Sequence, residues 1–512
     1  MNFLFMISNQ KIKSIYILFF LIIFTLHFFQ LSTQHWSAVL DQDLVIIYNS
    51  LLLNSGIEQE FRDHPAFTTF LANSIIYKLI SFFSNIPSDI ENILNSNNIN
   101  EILQFYFNIS RSINFFFNLL IIFFFNKILK KLELKNIIRF IATLIFIISI
   151  GYLSSLFVIR SENLSLLFLL FSANAILCKK RELKLNFFIA GIFFGFAMLA
   201  KIQIIFLFVY LIYLITFVSQ NKSYKFNDNN FLKKYYLLSL FFGIIFFFTF
   251  QIYIQEFPRF INNKYIDLLF FSVFFIIVFI YFYLSNNLKK NLILFSSLLN
   301  GFIFLIIFIF VLDRINLIPV NDFIFLRITN PIHYMTEFTG DMAGGIISMD
   351  YISKNIFHIF SYYRFNFFEL LLLIILIFIN FKKKNYLFVI FFIFAFNTLV
   401  MNFRYSEIYH LFYVFIYLIF FTEAIKKLDN NLAIKFIFLA LIIFFTNSCN
   451  FFLIKNNGHL AKIFSRENSM IKVCKEFNYK IPTGSNYNVS FIKYWHQKIN
   501  DSKIKKICDE LI

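Results

Sequence analysis

The chain has 512 residues, 59% of them hydrophobic and 14% charged, where a soluble chain carries roughly 25% charge. With a mean hydropathy of +0.72, this excludes a soluble globular enzyme and reads as an all-α polytopic membrane protein. The net charge of +18 does not point to nucleic acid, because most lysines stand in short runs between apolar segments, where they set topology.

The first apolar run, Ser14 to Leu31, follows Lys11 and Lys13 and ends in no small-x-small cleavage site. It is longer than the roughly 7–15 residues of a signal-peptide core, so it reads as a retained anchor with a cytoplasmic N-terminus. Residues 33–104 then form a first outer loop, which carries Asp41, Asp43 and Asp63-His64-Pro65. Carboxylates held at a bilayer surface are costly unless water, a cation or a substrate offsets their desolvation. They are equally at home as solvated loop residues.

Within that loop, Thr69, Asn73, Tyr77, Lys78 and Ser81 recur at three- and four-residue spacing, with Phe67, Phe70, Leu71, Ile75, Leu79 and Phe82 opposite. This periodicity predicts a juxtamembrane helix over 65–84 that lies on the outer leaflet without crossing it. Spans then follow near 105–127, 140–157, 161–178, 186–200, 202–218, 236–254, 266–284, 291–312, 367–381, 386–401, 411–425 and 436–454. With the first anchor this makes about thirteen. Lys127 to Arg139, Lys179-Lys180-Arg181, Lys222 to Lys234, Lys289-Lys290, Lys382-Lys383-Lys384 and Lys426-Lys427 all fall on the cytoplasmic side. A crossing at 65–84 would flip every one of these clusters outward.

This topology divides the chain into a transmembrane domain over 1–454 and an outer C-terminal tail over 455–512. An outer loop over 313–366 is expected to act as a lid. Cys474 and Cys508 in the tail could pair; Cys178 and Cys449 sit at the membrane. Gly191 and Gly195 are expected to allow close helix packing and to bind nothing.

At the outer face the topology gathers Asp41, Asp43, Asp63, His64, Arg111, Arg160, Glu162, Lys201, Gln203, Arg404 and His410. Singly, each charge is an ordinary helix-end anchor. Together they suggest a site for an anionic substrate beside a general base.

These residues carry a resemblance. An outer-loop acid pair, Asp-His-Pro opening a juxtamembrane helix, Arg160-x-Glu162 starting a span, and Gly-x-x-x-Gly closing on Lys201-x-Gln203 together resemble the GT-C superfamily of membrane glycosyltransferases. The layout is most similar to the protein O-mannosyltransferases and the lipid A aminoarabinose transferases. Motifs carry the likeness over residues 14–215, and topology with Arg404 carries it beyond.

The resemblance implies sugar transfer, with inversion, from a polyprenyl-phosphate donor to an envelope glycan, lipid or protein on the outer side of a bacterial cytoplasmic membrane. It implies Asp41 or Asp43 as base, and Arg160, Lys201 and Arg404 around the donor phosphate. Asp63, His64, Glu162, Gln203 and His410 would contact substrate. The resemblance names no certain cofactor, and the Asp41/Asp43 pair could hold a divalent cation. A polysaccharide polymerase or ligase working from the 313–366 loop, and a lipid or sugar transporter, are the competing classes.

Overall fold

The computed structural model describes residues 9–34, 36, 43–60, 66–156, 158–221, 224, 241, 266–285, 287–329, 331, 367–382, 410–426, 428 and 430–449. Among these every regular element is helical. Asp41, Asp63, His64, Arg404, the predicted span at 236–254 apart from Phe241, the predicted span at 386–401, Gly340 to Gly345 of the predicted lid and the tail lie outside the described residues.

The first half runs α1 (Asn9–Thr33), α2 (Asp43–Asn54), α3 (Phe67–Ser84), α4 (Ile90–Asn95), α5 (Ile99–Lys131), α6 (Asn136–Ile148), α7 (Ile150–Leu156), α8 (Ser161–Ile176) and α9 (Leu183–Ala200). A 3-10 turn, Ile202–Leu207, leads into α10 (Phe208–Gln220). The second half holds α11 (Ile266–Leu284), α12 (Leu288–Arg314), α13 (Asp322–Thr329), α14 (Phe367–Lys382), α15 (His410–Lys426) and α16 (Asn430–Cys449).

A bilayer core is crossed by about 20 apolar helical residues. Five described segments meet that test: Phe67–Ser84, Glu101–Lys131, Leu183–Ala200, Ile202–Gln220 and Leu288–Arg314. The pair α6 and α7, bent by 60°, makes a sixth if counted as one broken span. The bend falls between Ser149 and Gly151, the kind of Ser/Gly pairing at which helices kink. The chain is therefore an all-α membrane protein.

α3 is the least apolar of the five, with a mean hydropathy of 1.2 against 2.6 for α12. Its sides are arranged in an unexpected way for a surface helix. Thr69, Asn73 and Tyr77 are buried against protein, whereas Ile75, Leu79, Phe82 and Phe83 are exposed. The polar row faces inward because the interior supplies its partners. Tyr77 hydrogen-bonds Ser110 of α5, Ser74 donates to Asn54 of α2, and the Thr68 hydroxyl donates to the Phe196 carbonyl of α9 at 3.2 Å. Lys78 remains exposed on the other side.

The α9–α12 seam is the closest packing in the bundle that glycine explains. A Cβ at Gly191 would overlap the Leu298 carbonyl, one at Gly301 would overlap the Phe188 carbonyl, and one at Gly195 would come within 2.8 Å of Leu305 Cδ2. Both helices need a bare backbone here, because without a hydrophobic drive between lipid-immersed helices, close van der Waals contact is what joins them. Gly191 meets residues 298 and 302 while Gly195 meets 302 and 305, so the two helices run parallel.

Candidate functional site

α5 runs opposite to α9, and α8 runs with α5, so the early part of α5, the start of α8 and the end of α9 meet at one end of the bundle. The buried charges of the first half converge there. α7 stops at Leu156, and the non-helical residues 158–160, with Arg160 extended, lead to the start of α8 at Ser161. A helix end leaves carbonyls without intrahelical donors, and inside a membrane protein they must be satisfied locally. Asn114 of α5 does this: its Nδ2 donates to the carbonyls of Ser155 at 3.1 Å and Val158 at 3.0 Å. Asn163 donates to the Ser155 carbonyl at 2.9 Å and to Asn114 Oδ1 at 2.7 Å.

Asp43 opens α2 and is fully buried. Its Oδ2 accepts from Arg111 Nη2 at 2.8 Å and its Oδ1 from the Ile159 backbone N–H at 2.8 Å. Gln34, just after α1, accepts from the other arm of the guanidinium, which also lies over the Phe107 ring with 4.2 Å between Cζ and the ring centroid. Burial pushes the Asp43 carboxyl above the usual carboxylate range, and Arg111 and the Ile159 N–H pull against that.

One residue beyond Ile159 stands a second cluster. Glu162 Oε1 lies 2.9 Å from Lys201 Nζ and 3.2 Å from Arg160 Nη1, so two cations from different parts of the chain share one carboxylate oxygen. Glu162 and Lys201 are fully buried; Arg160 keeps 9% of its surface. Lys201 caps the C-terminal end of α9 in an extended conformation, and the 3-10 turn that follows carries the buried Gln203.

The structure thus brings together Asp43, Arg160, Glu162, Lys201 and, through the turn, Gln203. His410 begins α15, and its side chain is not among those described. Asp43 does not fit the role of general base expected for it, since both oxygens are engaged and a guanidinium stands against one. The same geometry makes it a poor ligand for a divalent cation, and no group of three His, Cys, Asp or Glu side chains gathers among the described residues.

The described start of the predicted lid is docked, not free. Arg314 pairs with Asp322 at 2.9 Å, Asp313 accepts from the Val320 N–H at 2.9 Å, and Ile324, Phe325, Leu326 and Ile328 of α13 are buried.

Sequence reasoning missed Gln34 and Asn114, polar residues lost in a composition rich in asparagine, and gave no role to Asn163 of the Arg160–Asn163 run. It also missed Glu369, a buried carboxylate on α14 that accepts from Asn447 of α16 at 3.0 Å. A polar residue every three or four positions along α5 (Arg111, Asn114, Asn118) was the available signal.

The arrangement defines a class: an α-helical membrane protein with paired charges buried at one end of its bundle. Compared with known proteins, the chain matches no family model, no curated protein and no solved structure.

Proposed function

We propose that this chain is a GT-C-like glycosyltransferase with about thirteen spans, moving a sugar from a polyprenyl-phosphate donor to an acceptor of the cell envelope on the extracytoplasmic side. The observation that carries the reading is the Glu162 carboxylate shared by Arg160 and Lys201. Fixed cations in a water-poor site act strongly on the charge that builds on a departing phosphate. Glu162 holds them in place before the donor arrives.

The topology has independent support. α3 touches Phe196, four residues from the end of α9, and Ser110, in the early part of α5. Both contacts lie toward the end of the bundle that bears the charges, which supports the reading of α3 as a juxtamembrane helix. The parallel α9 and α12 require an odd number of crossings between them, which α10, α11 and the sequence-assigned span at 236–254 supply.

Asp41 takes the role of base, because Asp43 is spent on Arg111 and Ile159. Asp41 stands two residues before Asp43 in the sequence, and Asp43 accepts from the backbone N–H of Ile159, the residue before Arg160. In the reaction the bond from the anomeric carbon to the phosphate oxygen breaks and its electron pair leaves with phosphate. The acceptor oxygen forms the new bond and its proton passes to Asp41. A nearby carboxylate also favours the oxocarbenium-like transition state.

Separate Asp41→Asn and Asp43→Asn variants, assayed in membranes for sugar transfer from a polyprenyl-phosphate donor, test this. Asp41→Asn should lose about 100-fold or more in rate while remaining folded, and Asp43→Asn should lower the yield and stability of the folded protein. Full activity in both would turn the reading toward a polymerase or ligase working from the 313–366 loop.

A further inference from the structure

Two side-chain amides among the described residues, Gln59 and Asn300, have neither the oxygen nor the nitrogen hydrogen-bonded. Each is 1% exposed. Asn300 lies in the middle of α12, whereas Gln59 lies in the first outer loop. Burying an idle carboxamide is costly, and methionine would fill similar space without that cost.

The backbone around Gln59 is well held. Its carbonyl accepts from Asn321 Nδ2 at 3.4 Å, the Ile57 N–H bonds the Leu52 carbonyl at 3.0 Å, and Tyr48 donates to Glu60 at 3.0 Å. Only the side chain is idle. Asn321 directly precedes α13, which packs on α9, and Ile328 near the end of α13 lines an apolar cavity with Ile205 and Phe206 of the 3-10 turn. That turn carries Gln203, whose Oε1 is likewise buried and unpartnered. Gln59 thus meets the start of α13 through Asn321, and the turn that carries Gln203 meets its end at Ile328, on the side of the bundle where Lys201 and Glu162 meet.

We propose that Gln59, with Gln203, binds hydroxyl groups of the sugar being transferred. A hydroxyl both donates and accepts, and a carboxamide offers both functions without charge, whereas phosphate calls for the cations next door. This assignment rests on the glycosyltransferase reading and adds a residue that decides which sugar is taken.

The test measures binding of polyprenyl phosphate alone, and of a panel of polyprenyl-phosphate hexoses and pentoses, to the purified full-length protein. Gln59→Met should weaken the best sugar conjugate about tenfold, leave polyprenyl phosphate unchanged, and keep or raise the melting temperature. Equal weakening of both ligands, or unchanged binding of the conjugate, overturns the assignment. Should Gln59→Met not fold, Gln59→Asn must show the same selective loss, and equal or absent loss there overturns it too. A wild-type protein that binds no conjugate more tightly than polyprenyl phosphate overturns the glycosyltransferase reading and this one with it; a wild type that discriminates, with a variant that discriminates equally well, overturns only this one.

Discussion

Two buried ion clusters stand almost next to each other on the 158–162 stretch, and they are built differently. At Asp43 each oxygen has its own donor, one a guanidinium and the other a backbone N–H, so the cluster is closed and serves to fix the chain. At Glu162 one oxygen serves two cations, a geometry that gathers positive charge around a single carboxylate. A closed pair is a fastening; a shared anion is a holding place for groups that a second anion can recruit. The contrast explains why Asp43, which the sequence offers as a catalytic acid, is better understood as the support for Arg160 and Glu162.

Breaking the closed cluster should have the largest effect. Asp43→Asn leaves Arg111 charged in a buried setting and should lower stability by about 3–5 kcal/mol, read as thermal unfolding in detergent. Adding Arg111→Leu should recover most of that loss, because the pair's removal leaves no lone charge. Gly191→Ala tests whether the α9–α12 seam is as tight as its carbonyl contact implies; about 3 kcal/mol, the upper range for overpacking, is expected by the same assay. Asn114→Ala, which strips donors from the 155–158 carbonyls, should cost about 2 kcal/mol and lower transfer activity in proportion to the misplacement of Arg160.

Glu162→Gln sharpens the comparison from the other side. Freed from a shared carboxylate, Arg160 and Lys201 should bind polyprenyl phosphate about as well or up to about tenfold more tightly, whereas Asp43→Asn should never tighten it. Equilibrium binding to both variants decides the matter. The smallest effect belongs to Tyr77→Phe, at about 1 kcal/mol for one lost hydrogen bond to Ser110.

Much of the helical framework is legible in the sequence because long apolar runs with lysine-rich ends admit few readings. The span expected at 186–200 is α9 over Leu183–Ala200, and that at 202–218 is the turn and helix over 202–220. The span at 140–157 is broken after Ile148, where Ser149 and Gly151 gave a local hint that hydropathy averaging erases. The periodicity of α3 was visible, but a row of Thr, Asn and Tyr fits a water-facing side and a protein-facing side equally. Only the partners on α2, α5 and α9 decide between them. The Asp43–Arg111 pair joins residues 68 positions apart, and no local pattern announces such a contact.

The interlocked glycines reach further than packing. Since Gly191 and Gly301 let each backbone rest on the other, α9 and α12 act as one strut. Lys201 and Gln203 stand at the top of one half of it, and the Asn321 that anchors Gln59 follows shortly after the other. Any motion that admits a substrate must then swing the surrounding helices about this strut, while the distance between the cation and the glutamines it carries stays the same.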